Sequence, residues 1–327
     1  MRVLITLAVL IGLGLAGAAA VVSFGLYNVS ARVGHLPGVA WGLHTTFRNS
    51  VSLRAPAPEE VPRLDDPDLI ALGAAHYATG CAMCHGAPGE EQTPTVRAMV
   101  PAPPPIAEAV AHWGAPELHW IVENGAKMTG MPAWPVENRA DEVWAVVAYL
   151  EAIKGGTAPE MPSPDLDGRA YCQSCHEDIG GRVPRLDILS ADYLEAQLEA
   201  YRTGARPSGI MAQAVTLVPE GSFAALAEYF SAPSTGAGAE PVPQEGPGTA
   251  LARQGTRDVP ACLACHGGQT PRKGPRLFGQ NEAYLAAQLT LWRDGTLTHD
   301  PLMAAAARDL TTEEIETLSR YFARAGR

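Results

Sequence analysis

The apolar and polar positions divide this chain into one wholly apolar run and a long series of short amphipathic stretches. After Arg2, residues Val3 to Leu26 (VLITLAVLIGLGLAGAAAVVSFGL) contain no charged side chain. That run is long enough to cross a bilayer as a helix, whereas a secretory signal has a shorter apolar core. The small residues Ala16-Gly17-Ala18-Ala19-Ala20 also offer small-x-small patterns that a signal peptidase accepts. An uncleaved anchor and a cleaved signal are therefore both open, and the length favours the anchor. No cysteine follows the run closely, which argues against a lipid anchor through cysteine.

Beyond it, apolar positions recur at helical spacing. Asp68 to Thr79 reads as a helix leading into Cys81, and a second runs from about Pro116 to Glu123. Ala140 to Ile153 (ADEVWAVVAYLEAI) puts Val143, Val146, Val147 and Leu150 on one face. Further helices are expected at 221–230 and 312–323. No stretch alternates as a half-buried strand does, so the expected fold class is all-α.

The chain also repeats itself. Tyr193-Leu194-Glu195-Ala196-Gln197-Leu198 matches Tyr284-Leu285-Ala286-Ala287-Gln288-Leu289, Arg202-Thr203-Gly204 matches Arg293-Asp294-Gly295, and Met211-Ala212 matches Met303-Ala304. The offset is 91 residues, then 92 after an insertion near Asp300. Pro- and Gly-rich linkers separate the units at Lys154–Pro164 and Pro233–Gly248. The expected organisation is an anchor at 1–30, a juxtamembrane linker at 31–60, and three domains at 61–155, 160–232 and 249–327. His35, Trp41 and His44 fall in the linker, which reads as a surface-packed spacer, with contact to a partner subunit as the other reading.

Composition narrows the function. The 35 acidic and 24 basic residues give a net charge of −11, the opposite of a nucleic-acid footprint. An acidic surface favours basic docking partners, or is simply what keeps the protein soluble. Aromatics make up 6% of the chain, so three domains this small have little core of their own and need something to fill them.

The six cysteines say what that is. They occur only as Cys81-Ala-Met-Cys84-His85, Cys172-Gln-Ser-Cys175-His176 and Cys262-Leu-Ala-Cys265-His266, 91 and 90 residues apart. Each is C-x-x-C-H, the attachment sequence for c-type haem. Two thiols form thioethers to the vinyl groups of one haem, and the next residue places an imidazole beneath the iron. Zinc would need a second ligand pair for each motif. A redox C-x-x-C would sit beside a βαβ pattern, and none is visible. Disulfides would not require a histidine after every second cysteine. Three covalently bound haems c are expected, held by these cysteines, with His85, His176 and His266 as proximal iron ligands.

The second axial ligand must come from elsewhere. Thr129-Gly130-Met131-Pro132-Ala133-Trp134 places Met131 46 residues after His85; Met128 is its rival, and Met99 lies close to the Pro101–Pro105 run. Met211 and Met303 are the sole methionines following the second and third motifs, and they align in the duplication. The competing explanation for each is a methionine filling a core gap. His/Met ligation would raise the potential and close both axial positions. A ligating imidazole also needs a partner for its other N–H. The carbonyls of Pro184 and Pro275, 8 and 9 residues after their histidines, are candidates, with Pro103 to Pro105 in the first unit. Ordinary loop prolines are the alternative.

With these residues in hand, residues 62–327 resemble class I cytochromes c. Units two and three are similar to the dihaem cytochrome c4 family through the Y-L-x-A-Q-L stretch, the R-x-G turn and the Met-Ala pair. Unit one resembles a single-haem domain of the kind ending in TGMPAW. The resemblance implies an all-helical fold, with crossing N- and C-terminal helices and a haem between His and Met. It implies outer-sphere electron transfer, often from a quinol-oxidising cytochrome bc complex to a terminal oxidase. Covalent haem attachment in this class takes place outside the bacterial inner membrane, which implies a single-pass protein with its haem domains in the periplasm. Unit two departs from the pattern: Pro162 and Pro164 leave little room for a helix before Cys172.

Three functions compete. The first is a respiratory electron conduit. It is either a tethered shuttle or a fixed subunit of a membrane-bound dehydrogenase or haem–copper oxidase. The second is a peroxidase-like haem enzyme, which needs an open iron. The third is a haem-based sensor, which needs an output domain that this sequence does not contain. A methionine available in every unit favours the conduit.

Overall fold

The computed structural model describes residues 1–162, 168–219, 221–231, 246–267 and 274–324. All regular structure among them is helical. The first helix, α1 (Arg2–Phe24), is apolar and exposed along its length, and is long and apolar enough to cross a membrane. A second, α2 (Val39–Arg54), follows in the segment read as a spacer. Its Val51 is fully buried, and Phe47 meets the Trp113 ring edge-on at 6.0 Å. The sequence pattern hides α2 because Gly42, Thr45, Thr46, Asn49, Ser50 and Ser52 dilute its apolar stripe.

Unit one comprises α3 (Pro67–Gly80), α4 (Ala82–His85), α5 (Pro94–Arg97), α6 (Ile106–Val110), α7 (Ala115–Asn124) and α8 (Ala140–Lys154). Asp66 caps α3 by accepting the Asp68 N–H, and Pro67 occupies the first turn. One glycine lets α3 and α8 cross closely. Gly73 carries no side chain where a Cβ would come within 1.9 Å of the Ala145 carbonyl oxygen. Around this crossing pack Ala74, Tyr77, Val143, Val146, Val147 and Tyr149, with Ile106, Val110 and Leu118 closing the core.

Unit two comprises α9 (Gly168–His176), α10 (Ala191–Arg202), α11 (Gly209–Val215) and α12 (Phe223–Ser231). Its described first helix begins four residues before Cys172, whereas 14 residues of α3 lead into Cys81. Residues 163–167 lie outside the described part, and the expected shortening of this helix falls on them. Its core cluster is small: Leu194, Ala227 and Phe230, with Cys172, Leu186 and Leu189 partly buried against them. Unit three comprises α13 (Pro247–Gln254), α14 (Leu263–His266), α15 (Glu282–Arg293), α16 (Pro301–Ala307) and α17 (Thr312–Arg324), around Leu251, Leu285, Ile315, Leu318 and Phe322. Most of the second linker, at 232–245, lies outside the described residues.

The units touch one another through named contacts. Arg182 pairs with Asp66 at 2.6 Å, and the Tyr171 hydroxyl lies 3.3 Å from Thr79 Oγ1. Within unit one, His76 is buried against the Trp134 ring with centroids 4.7 Å apart, and its Nδ1 has no partner among the described residues. Burial lowers its imidazole from the usual range to about 4. The unfolded chain therefore takes up a proton between pH 6.5 and 4 that the folded chain refuses. Stability is lost as pH falls through that window, by up to about 3 kcal/mol. Urea titrations of wild type and His76→Phe at about pH 7 and about pH 4.5 should show a smaller acid loss in the variant. Equal losses would contradict this account.

Candidate haem sites

Each C-x-x-C-H motif is wound into a helical turn. Cys81 ends α3 and His85 ends α4; Cys172 to His176 form the second half of α9; Cys262 precedes α14, which ends at His266. The His85 and His266 N–H groups donate to the Cys81 and Cys262 carbonyls at 3.0 Å each, closing one turn. Positions i, i+3 and i+4 of a turn share a face, so two thiols and an imidazole point the same way. No two of the six cysteines are joined as a disulfide. Burial pushes the Cys81 thiol up to about 12 and Cys262 up to about 11, and raises Cys175. Among the described residues no cluster of three His, Cys, Asp or Glu could hold a metal ion.

The second ring nitrogen of each histidine is occupied in the same way. His85 Nδ1 lies 2.9 Å from the Pro104 carbonyl, His176 Nδ1 2.8 Å from that of Pro184, and His266 Nδ1 2.8 Å from that of Pro275. A carbonyl only accepts, so Nδ1 carries the proton and Nε2 keeps its lone pair for iron. Burial lowers His176 and His266, which keeps their imidazoles neutral, although the proline carbonyls pull the other way. The prolines singled out from sequence are thus bonded to the histidines. In unit one it is Pro104 of the 103–105 run, and Gln92 donates to the adjacent Pro103 carbonyl at 2.9 Å.

In unit two the motif opens into a cavity of about 310 Å³. That falls within the roughly 300–1,000 Å³ of pockets that take cofactor-sized ligands. Cys172, Cys175, His176 and Met211 line it together with apolar Leu194 and Phe230. Met303 packs partly buried against the unit three cluster that includes Cys262. Met131 is partly buried in a loop closed by the Ala126 N–H donating to its carbonyl at 3.2 Å. Its rival Met128 is 82% exposed. Met99 reaches the same loop, its Cε lying where a Cβ on Gly130 would meet it at 2.7 Å. Paired thiols beside a histidine whose Nδ1 meets a carbonyl, and in unit two an apolar cavity, fit a covalently held haem.

Several groups around the unit two cavity escaped sequence reading, and those of unit three did so because they come from another unit. Gln280 of unit three accepts the Arg185 N–H at 2.8 Å and donates to the Arg185 carbonyl at 3.0 Å. Asn281 donates to the Val183 carbonyl at 2.6 Å, and the Tyr284 N–H donates to that of Gly181 at 3.0 Å. These bonds bracket Pro184, the residue whose carbonyl orients His176. Arg206 also lines the cavity, donating to Tyr193 Oη at 3.3 Å and Gln197 Oε1 at 2.5 Å. The repeated Y-L-x-A-Q-L stretch was the available signal for these last two partners.

Comparisons with known proteins match two portions of the chain. A family model described as cytochrome c oxidase, cbb3-type, subunit III, matches residues 68–150. A thiosulfate dehydrogenase electron acceptor from Stutzerimonas stutzeri (strain A1501) is 38% identical over 170 residues, covering 47% of this chain and 79% of that protein. Cytochrome c4 from Azotobacter vinelandii is 32% identical over 185 residues, covering 46% of this chain and 83% of that protein. Among solved structures, cytochrome c4 from Acidithiobacillus ferrooxidans matches 43% of this chain and 88% of its own at 32% identity, with a TM-score of 0.38. Thiosulfate dehydrogenase (TsdBA) from Marichromatium purpuratum matches 47% of this chain and 36% of its own at 34% identity, with a TM-score of 0.40. The chain belongs to the c-type cytochromes, with a c4-like portion and a cbb3-subunit-like portion. It is an electron-transfer protein that works through covalently bound haem c.

The cross-unit grip on Arg185 generates a prediction. Gln280→Ala removes three side-chain hydrogen bonds, two of them to Arg185 across the units and one from the Asn281 N–H, and leaving the partly buried Arg185 N–H and C=O unpaired costs about 1–3 kcal/mol. Calorimetry of the holoprotein should show units two and three unfolding in more separated transitions than in wild type. An unchanged thermogram would mean that Gln280 does not tie them together.

Proposed function

We propose that the chain carries three haems c, one on each motif, with iron held by His85 and Met131, by His176 and Met211, and by His266 and Met303. The observation that carries this reading is the threefold recurrence of one arrangement: paired thiols, adjacent histidine, and Nδ1 bound to a proline carbonyl. His/Met ligation gives relatively high potentials and saturates the iron, which suits transfer and not substrate chemistry. The three haem-bearing domains are those bounded at 61–155, 160–232 and 249–327.

The chain is anchored in the bacterial inner membrane by α1, with its haem domains in the periplasm. The placement rests on the covalent haem, which c-type cytochromes receive on the outer face of that membrane, and not on charge: Arg2 lies before the apolar run, but Arg32, Arg48 and Arg54 follow it. Anchoring also confines the haems near integral partners.

The electron path we favour enters from a periplasmic dehydrogenase and leaves to a haem–copper oxidase. A relative named as the electron acceptor of thiosulfate dehydrogenase supports the donor side. The likeness of residues 68–150 to an oxidase subunit supports exit through unit one. A cytochrome bc complex is the rival donor.

Two experiments test this reading. Stopped-flow mixing of the oxidised protein with thiosulfate and its dehydrogenase should reduce the haems rapidly. Reduction only by quinol and a bc complex would move the entry point, and reduction by neither would refute the path. Separately, Met131→Ala should lower the potential of one haem and let carbon monoxide bind it, while Met128→Ala should change neither. The reverse result would exchange the two assignments.

A further inference from the structure

The Glu142 carboxylate belongs to α8 of unit one, yet its hydrogen bonds run into unit two. Oε1 accepts the Ser208 hydroxyl at 2.5 Å, and Oε2 accepts the backbone N–H groups of Gly209 at 2.6 Å and Ile210 at 3.3 Å. Trp134 Nε1 adds a donor at 3.4 Å, and Arg139 pairs with the carboxylate at 2.7 Å. Arg139 in turn donates to the Pro207 carbonyl at 2.5 Å. Glu142, Arg139 and Ser208 are all buried. Gly209 sits so close to Trp134 that a Cβ there would lie 2.2 Å from Nε1.

These donors are the residues immediately before Met211. Ser208 is the N-cap of α11, and its Oγ accepts the Met211 N–H at 3.1 Å. Met211 is therefore one hydrogen bond removed from Glu142, through a hydroxyl that donates to the carboxylate and accepts from the methionine.

The duplicated unit shows what this replaces. Ser208 aligns with Asp300, given the offset of 92. Asp300 Oδ1 accepts the N–H groups of Leu302 and Met303 at 2.9 and 3.1 Å. Unit three thus caps its methionine helix with its own carboxylate. Unit two has a serine there, and the carboxylate comes from its neighbour.

We infer that Glu142 is a positioning residue for the second haem: unit one holds Met211 of unit two in place as a distal ligand. This rests on the reading of Met211 as that ligand. The consequence is that iron coordination in unit two depends on unit one being docked. A fixed acceptor at the start of α11 sets where the helix begins, and so where the thioether two to three residues on can reach.

The test is a redox titration of full-length holoprotein, read also at the thioether-to-ferric-iron charge-transfer band. Glu142→Ala should lower the potential of one haem and remove one haem's share of the band. Met211→Ala should remove the same share, and adding Glu142→Ala to it should remove no more. In the Glu142→Ala background, Ser208→Asp should restore the band and the potential, because it supplies the cap that Asp300 supplies in unit three. A role limited to charge would instead raise the potential, since a negative charge near the iron is lost, and would leave the band intact. That outcome overturns the inference, as does failure of Ser208→Asp to rescue. A full band in Glu142→Ala with a loss in Met211→Ala refutes the positioning role and leaves the ligand assignment standing. A full band in Met211→Ala refutes the ligand assignment itself. Should Glu142→Ala fail to fold, Glu142→Gln keeps the volume and one acceptor oxygen, and the same reduction of one share is expected from it, with an intact share contradicting the inference.

Discussion

In all three units a histidine Nδ1 lies 2.8 or 2.9 Å from a proline carbonyl, and the rest of each haem site depends on that hydrogen bond. It fixes which nitrogen bears the proton, the angle of the ring, and the direction of the Nε2 lone pair. The preceding helical turn then aims two thiols along the same face. A proline is well suited to this role because it has no N–H to compete for a partner and its φ is locked. The motif supplies the thioether anchors, and the proline loop turns an anchored imidazole into an oriented ligand.

Unit two shows the same logic stretched across unit boundaries. Its core cluster is small, so it has few means of holding its own pocket. Unit three grips the loop around Pro184 through Gln280 and Asn281, on the side of the proximal histidine. Unit one grips the start of α11 through Glu142, on the side of Met211. The middle site is thus a joint product of three units. Fixed relative placement of redox centres is what a chain of tandem haems needs, because electron transfer depends on their separation and orientation. Docking and cofactor geometry are served by the same hydrogen bonds.

Much of this was legible in the sequence. The C-x-x-C-H motifs named the cofactor, the three long helices of unit one fell within a residue or two of their expected limits while its short ones were not expected, and the duplication aligned the methionines. The prolines at 184 and 275 could be picked out because a ligating histidine must place its second N–H somewhere nearby. What could not be read was contact between units. Glu142 looked like one more acid in the first turn of an amphipathic helix, and Gln280 like a loop residue. Neither carries a periodic signal, because its partners lie 66 to 95 residues away. Helix α2 was missed for a different reason: polar residues dilute its apolar stripe, on which Phe47 and Val51 make the contacts named above.

The central claim is that three motifs carry three haems. It is tested most directly by the mass of the intact, denatured holoprotein, where covalently attached haem survives and free haem is lost. The account predicts a chain heavier than its polypeptide by three haems, with all six cysteines inaccessible to alkylation. A chain bearing one or two haems, with a reactive Cys-x-x-Cys pair remaining, would contradict it.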